Sequence, residues 1–148
     1  MRVLVDSNIL ARHSQPDHVL HPIAVEALER LRLAGDELRV VPQVLYEYWA
    51  VATRPALQNG LALTTVETHG RLEGFKRFFP LLRDERRIYE PWELLVRSHR
   101  VQGKSTHDAR LVAAMQRHGP THILTFNVDD FQRYPGIQVL DPQKVANA

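Results

Sequence analysis

At 148 residues and 17.0 kDa the chain has room for one domain with a sizeable core and not for two, so residues 1–148 read as a single unit. The 44% hydrophobic and 24% charged content is that of a globular fold, no apolar run approaches the ~20 residues that cross a bilayer, and the absence of cysteine excludes disulfides, thiolate nucleophiles and Cys-ligated metals. A formal charge of +2 excludes nucleic-acid binding through bulk charge alone, which leaves any such role to the placement of basic residues.

In chain order, Arg2 to Val5 is a β-branched apolar run that stops at Asp6, as a buried strand ending in a polar turn does. This N-terminus lacks the small-residue cleavage site of a signal peptide, so a cytoplasmic protein is expected. From Val19 to Leu33, Ile23, Ala24, Ala27, Leu28 and Leu31 recur at helical spacing opposite Glu26, Glu29, Arg30 and Arg32, and Gly35 closes the helix. A second strand is expected at Leu38 to Val41, followed by a helix that Pro42 opens and that runs to about Thr53.

Thr64 or Thr65 is placed to cap a helix carrying Val66, Leu72, Phe75, Phe78 and Phe79, and Pro91 to open another through Trp92, Leu94, Leu95 and Val96. Ser105 or Thr106 then caps a helix through Met115 that ends near Gly119-Pro120. Strands follow at His122 to Thr125 and Ile137 to Leu140. Short strands separated by helices imply right-handed crossovers, and hence an α/β fold of three layers with a central, mostly parallel sheet. Ligand sites in such folds form beyond the carboxyl ends of the strands.

The acids cluster at those ends. Asp6 follows the first strand, Glu47 lies in the helix after the second, Asp108 opens a late helix, and Asn127, Asp129 and Asp130 follow a later strand. Each has a structural explanation too: Asp6 as cap of a helix at Ser7, Asp108 as the acid of a capping box opened by Ser105, Asn127 as cap of the turn holding Asp130. Asp129 reads as a helix-start residue favoured by the helix dipole. Glu47 is harder to explain that way, because within Leu45-Tyr46-Glu47-Tyr48-Trp49 a carboxylate on the buried side needs a partner. Carboxylates without cysteine favour a hard cation, Mg²⁺ or Mn²⁺, which can activate water for phosphodiester cleavage. Ser7 and Thr125, at strand ends beside the acids, could orient a carboxylate.

Other signals are weaker. Gly103-Lys104-Ser105 resembles the end of a phosphate-binding loop, but the pattern requires glycine where Ser98 stands. His13, His18, His21, His107, His118 and His122 lack the spacing of a zinc helix and read as surface residues. Arg77, Arg83, Arg86, Arg87, Arg97 and Arg100 lie between Lys76 and Lys104. They form either a basic rim for a phosphodiester or, with Asp84, Glu85, Glu90 and Glu93 interspersed, a solvated helix surface.

Val3-Leu4-Val5-Asp6-Ser7-Asn8-Ile9-Leu10 resembles the opening of PIN domains. With Val41 to Glu47, Thr106 to Ala114 and Ile123 to Phe131 in that order, the chain is similar over nearly its whole length to the VapC toxins of bacterial toxin–antitoxin pairs. The resemblance implies an α/β/α sandwich, Mg²⁺- or Mn²⁺-dependent endoribonuclease activity, a homodimer, and inhibition by a VapB-like antitoxin covering the site. By position, Asp6, Glu47 and Asp108 match the family's three most regular acids. For the fourth place the resemblance implies Asn127 as a neutral ligand or water-holder with Asp130 supplying charge. Three alternatives stand beside this reading: a stand-alone RNA-processing nuclease, a Mg²⁺-dependent phosphoryl-transfer domain, and a non-catalytic module whose acids are helix caps.

Overall fold

The computed structural model describes residues 1–148. Four strands, β1 (Arg2–Val5), β2 (Glu37–Arg39), β3 (His122–Leu124) and β4 (Gln138–Leu140), form one sheet in the order β2-β1-β3-β4, every neighbour parallel. Eight α-helices connect and flank it: α1 (Ser7–His13), α2 (His21–Leu33), α3 (Pro42–Thr53), α4 (Thr65–Phe78), α5 (Tyr89–Ser98), α6 (Ser105–His118), α7 (Val128–Phe131) and α8 (Pro142–Ala146). The architecture is the α/β arrangement expected from the alternation of strands and helices. No helix is long and apolar enough to cross a membrane.

Val3, Leu4 and Val5 are fully buried, because helices cover both faces of a parallel sheet and the strand needs no polar side. They join Val40, Val44, Leu111, Val112, Ile123, Leu124 and Phe131 in one core. Around it α2 packs on α8, α1 on α2 and α3, and α5 on α6. The chain steps from β1 to β2 on one side, then crosses to β3 on the other. The gap between the carboxyl ends of β1 and β3 is therefore the point where the winding reverses, the place such sheets use for ligands.

Several boundaries differ from expectation. The second strand stops at Arg39, because Val40 turns from β1 to bridge Leu81 and accepts a hydrogen bond from the Leu82 N–H at 2.8 Å, which covers the edge of β2. Helix α5 begins at Tyr89, behind a 3-10 turn at Arg86–Ile88, so Pro91 sits inside its first turn, where the missing N–H is harmless. Ser105 is the first residue of α6 and caps nothing. The cap position is Lys104, and Thr106 donates its hydroxyl to the Gly103 carbonyl at 2.8 Å. At α4 the expected cap forms: Thr64 accepts from the Glu67 N–H at 3.1 Å. Gly119 ends α6 with φ at +101°, a conformation that glycine adopts without strain.

Candidate metal centre

Asp6 is the first residue past β1, and its backbone N–H extends the ladder to the Leu124 carbonyl at 3.1 Å. The side chain is 4% exposed and caps α1, accepting from the Ser7 N–H at 2.7 Å. Its other oxygen accepts from the Thr125 hydroxyl at 2.8 Å and from the Asn8 amide at 3.3 Å. The Asn8 amide also donates to Thr125 Oγ1 at 3.0 Å, and Asn8 Oδ1 accepts from the Phe126 N–H at 3.1 Å. Thr125 Oγ1 takes a third bond from the Asn127 N–H at 3.0 Å. One hydroxyl thus donates once and accepts twice, its full capacity, and pins the loop after β3 to the carboxylate after β1.

Glu47 reaches the same place from α3. Its Oε2 accepts from the Ser7 hydroxyl at 3.0 Å and its Oε1 from the Gln43 amide at 2.9 Å. Ser7 Oγ also stands 3.5 Å from Asp6 Oδ1, so a single serine links the two acids. Gln43, one helical turn before Glu47, donates to the His107 carbonyl at 2.7 Å as well, which docks α3 against the start of α6 beside Asp108.

Asp108 is half-buried and has no hydrogen-bond or ion-pair partner in the chain. Burial pushes its carboxyl up to about 7, with the charges of Asp6, Asp130 and Glu47 adding to the rise and Arg133 opposing it. Asp6 is raised to about 6, chiefly by burial and in part by Glu47, against the hydrogen bonds from Thr125 and Ser7. Four acids therefore share one electrostatic neighbourhood at the winding reversal. Asp130 lies on its exposed rim. Asn127 is exposed too; its backbone is held by Thr125 while its side chain caps nothing, so the expected Asn127 cap does not form. The capping-box role of Asp108 is likewise absent, since no side chain caps α6. Asp129 is an exposed helix-start residue, as expected.

The donor set suits a hard cation. It is all oxygen and carries excess negative charge, and each Asp6 oxygen has one short and one long contact, leaving lone-pair capacity weakly engaged. No three acids or imidazoles stand close enough together to form a ready-made ligand cage, so the fit is one of chemistry and charge. A cavity of about 750 Å³ lies elsewhere, between α2, α4 and the edge at β2, and none of the acids of the centre lines it.

Sequence reasoning missed Asn8, Gln43 and Arg133. Asn8 and Gln43 carried weak signals, adjacency to Asp6-Ser7 and one-turn spacing from Glu47. Arg133 carried none. The histidines were read as surface residues, but His13 is half-buried, with its ring against Phe75 and His21 and its pKa lowered by burial. The basic run also resolves: Asp84 and Glu85 pair with Arg110 and Arg117 of α6, which leaves Arg83, Arg86 and Arg87 exposed and outside any ion pair.

Neither a protein-family model nor a curated protein sequence matches the chain. Solved structures do. A chain of FitAcB from Neisseria gonorrhoeae superimposes with a TM-score of 0.68 at 17% identity, over 95% of this chain and 97% of that one. A chain of a toxin–antitoxin complex from Klebsiella pneumoniae gives 0.65 at 18% identity, over 95% and 97%. VapC20 from Mycobacterium tuberculosis, a sarcin–ricin loop cleaving toxin, gives 0.61 at 19% identity, over 86% and 92%. The chain thus has the PIN-like fold expected from its sequence, shared over 86% of its length with VapC20 and over 95% with the FitAcB chain and the chain of the toxin–antitoxin complex.

Proposed function

We propose that this chain is a metal-dependent endoribonuclease and the toxin of a toxin–antitoxin pair, cleaving RNA phosphodiester bonds at the site of Asp6, Glu47 and Asp108. The observation that carries the reading is Asp108: half-buried, without a hydrogen-bond or ion-pair partner, and within the electrostatic reach of three other carboxylates. Such a concentration of negative charge is neutralised at neutral pH only by protons or by a cation. Asp6 and Asp108 would hold Mg²⁺ or Mn²⁺, with Asn127 and Asp130 on the outer side. Bound there, such an ion supplies a water of lowered pKa and stabilises the leaving oxygen.

The chain's own residues do the positioning. Thr125, Asn8 and Ser7 hold Asp6 in one orientation, and Ser7 with Gln43 holds Glu47 facing it, placed to take a proton from an attacking water. RNA as the substrate is supported by the fold likeness to VapC20 and by the exposed arginines after α4. A VapB-like antitoxin is supported by the likeness to a chain of a toxin–antitoxin complex. A homodimer is proposed on the resemblance to VapC toxins alone.

The test is cleavage of a mixed-sequence RNA by the purified chain with Mn²⁺, with EDTA, and with Asp6→Asn. Cleavage confined to the parent with Mn²⁺ supports the reading. Equal cleavage in EDTA, or by Asp6→Asn, removes it.

A further inference from the structure

The aromatic run on α3 splits into two faces. Tyr48 points inward, fully buried, its hydroxyl 2.8 Å from Ser14 Oγ. Pro42, Leu45, Tyr46 and Trp49 follow the i, i+3, i+4, i+7 spacing of one stripe and line a surface cavity of about 480 Å³. Tyr46 is 66% exposed.

No acid lines this cavity, while Lys76 of α4 and Arg83 do. Lys76 is shared with Glu73 at 2.6 Å, whereas Arg83 makes no ion pair, its neighbour Asp84 being held by Arg110. The stripe adjoins the acid pocket: Gln43 and Glu47, next in sequence to Pro42 and Tyr46, lie ~100° further round the same helix. Two aromatic side chains lining a cavity with cations beside them suit an unpaired base and its phosphates, and not a duplex, whose base faces are hidden.

We infer that the Tyr46–Trp49 face is a nucleobase-stacking subsite that holds single-stranded RNA beside the acid pocket, with Arg83 and Lys76 neutralising the adjoining phosphates. The subsite rests on the ribonuclease reading above and adds the place on this chain that holds a base.

The test is binding of a fluorescent 12-nucleotide single-stranded RNA of mixed sequence to the full chain in EDTA, with the same sequence as a duplex for comparison. Tyr46→Ala is expected to weaken single-strand binding about tenfold, Tyr46→Phe to leave it unchanged, and Arg83→Gln to flatten its dependence on salt. RNA should also quench the fluorescence of Trp49, a signal that Trp49→Phe removes. If the parent binds RNA and Tyr46→Ala binds equally well, the subsite is overturned and the nuclease reading stands. If the parent binds no RNA, the subsite is overturned, and the cleavage test with Mn²⁺ decides the nuclease reading separately. If Tyr46→Ala instead turns a dimer into a monomer in sedimentation, the face is a contact between copies and the subsite is overturned.

Discussion

Across 119 residues of chain, the Thr125 hydroxyl donates to Asp6 Oδ2 at 2.8 Å, and through this bond the ends of β1 and β3 become one site. Thr125→Val removes the donor, takes one of the two acceptors from the Asn8 amide and leaves the Asn127 N–H without its acceptor. The expected loss is about 1–3 kcal/mol of stability, with Thr125→Ser losing much less. Thermal melting of the two variants checks it: equal melting temperatures would show the hydroxyl to be idle.

Asp108→Asn separates a metal ligand from a structural acid. Asp108 bonds nothing and is repelled by Asp6, Asp130 and Glu47, so removing its charge should raise the melting temperature of the metal-free protein at pH 7.5 while abolishing RNA cleavage. Increased stability with lost activity is the signature sought. Decreased stability would assign Asp108 to holding the fold.

The pH dependence follows from the same shifts. Asp6 near 6 and Asp108 near 7 lie above the ordinary 3.8, so the folded chain binds protons more tightly than the unfolded one. Their contribution to stability is present at low pH and is lost as pH rises through the window from about 4 to 7. His13, whose pKa is lowered, acts in the opposite sense, so the difference between parent and Asp108→Asn is the quantity to measure. It should vanish near pH 4 and grow towards pH 8; a difference constant with pH would refute the raised carboxyl.

Gln43 ties Glu47 to the start of α6. Gln43→Ala should reduce cleavage through a looser Glu47, with a stability loss of about 1–2 kcal/mol. Gln43→Glu should behave differently, adding a fifth negative charge and making the metal-free protein least stable at high pH. Parallel melts at pH 5 and 8 distinguish the two.

How much of this was legible in the sequence depends on range. Helix α3 runs from Pro42 to Thr53 as its proline and apolar spacing predict, and β1 stops at Asp6 because the apolar run stops there. The second strand was read too long because Val40 is as apolar as a strand residue, and only the distant Leu81 decides its partner. Helices α7 and α8, of four and five residues, are too short to leave a periodic pattern. Asp6, Glu47, Asp108, Ser7 and Thr125 were placed together by strand ends and resemblance. Asn8 and Gln43 escaped because an amide shows its role only through its partners, which lie 117 and 64 residues away. Asn127 is the reverse case: its backbone is bonded into the site while its side chain makes no bond within the chain.

Titration calorimetry with Mn²⁺ at pH 7 tests whether the carboxylates form a cation site. The parent should bind saturably and release protons, in an amount visible as a heat that varies with the buffer, because Asp108, raised to about 7, is still partly protonated at that pH and must lose its proton to the ion, while Asp6, near 6, is mostly ionised already. Asp108→Asn should lose most of the affinity. No binding by the parent, or binding undiminished in Asp108→Asn, would contradict the account.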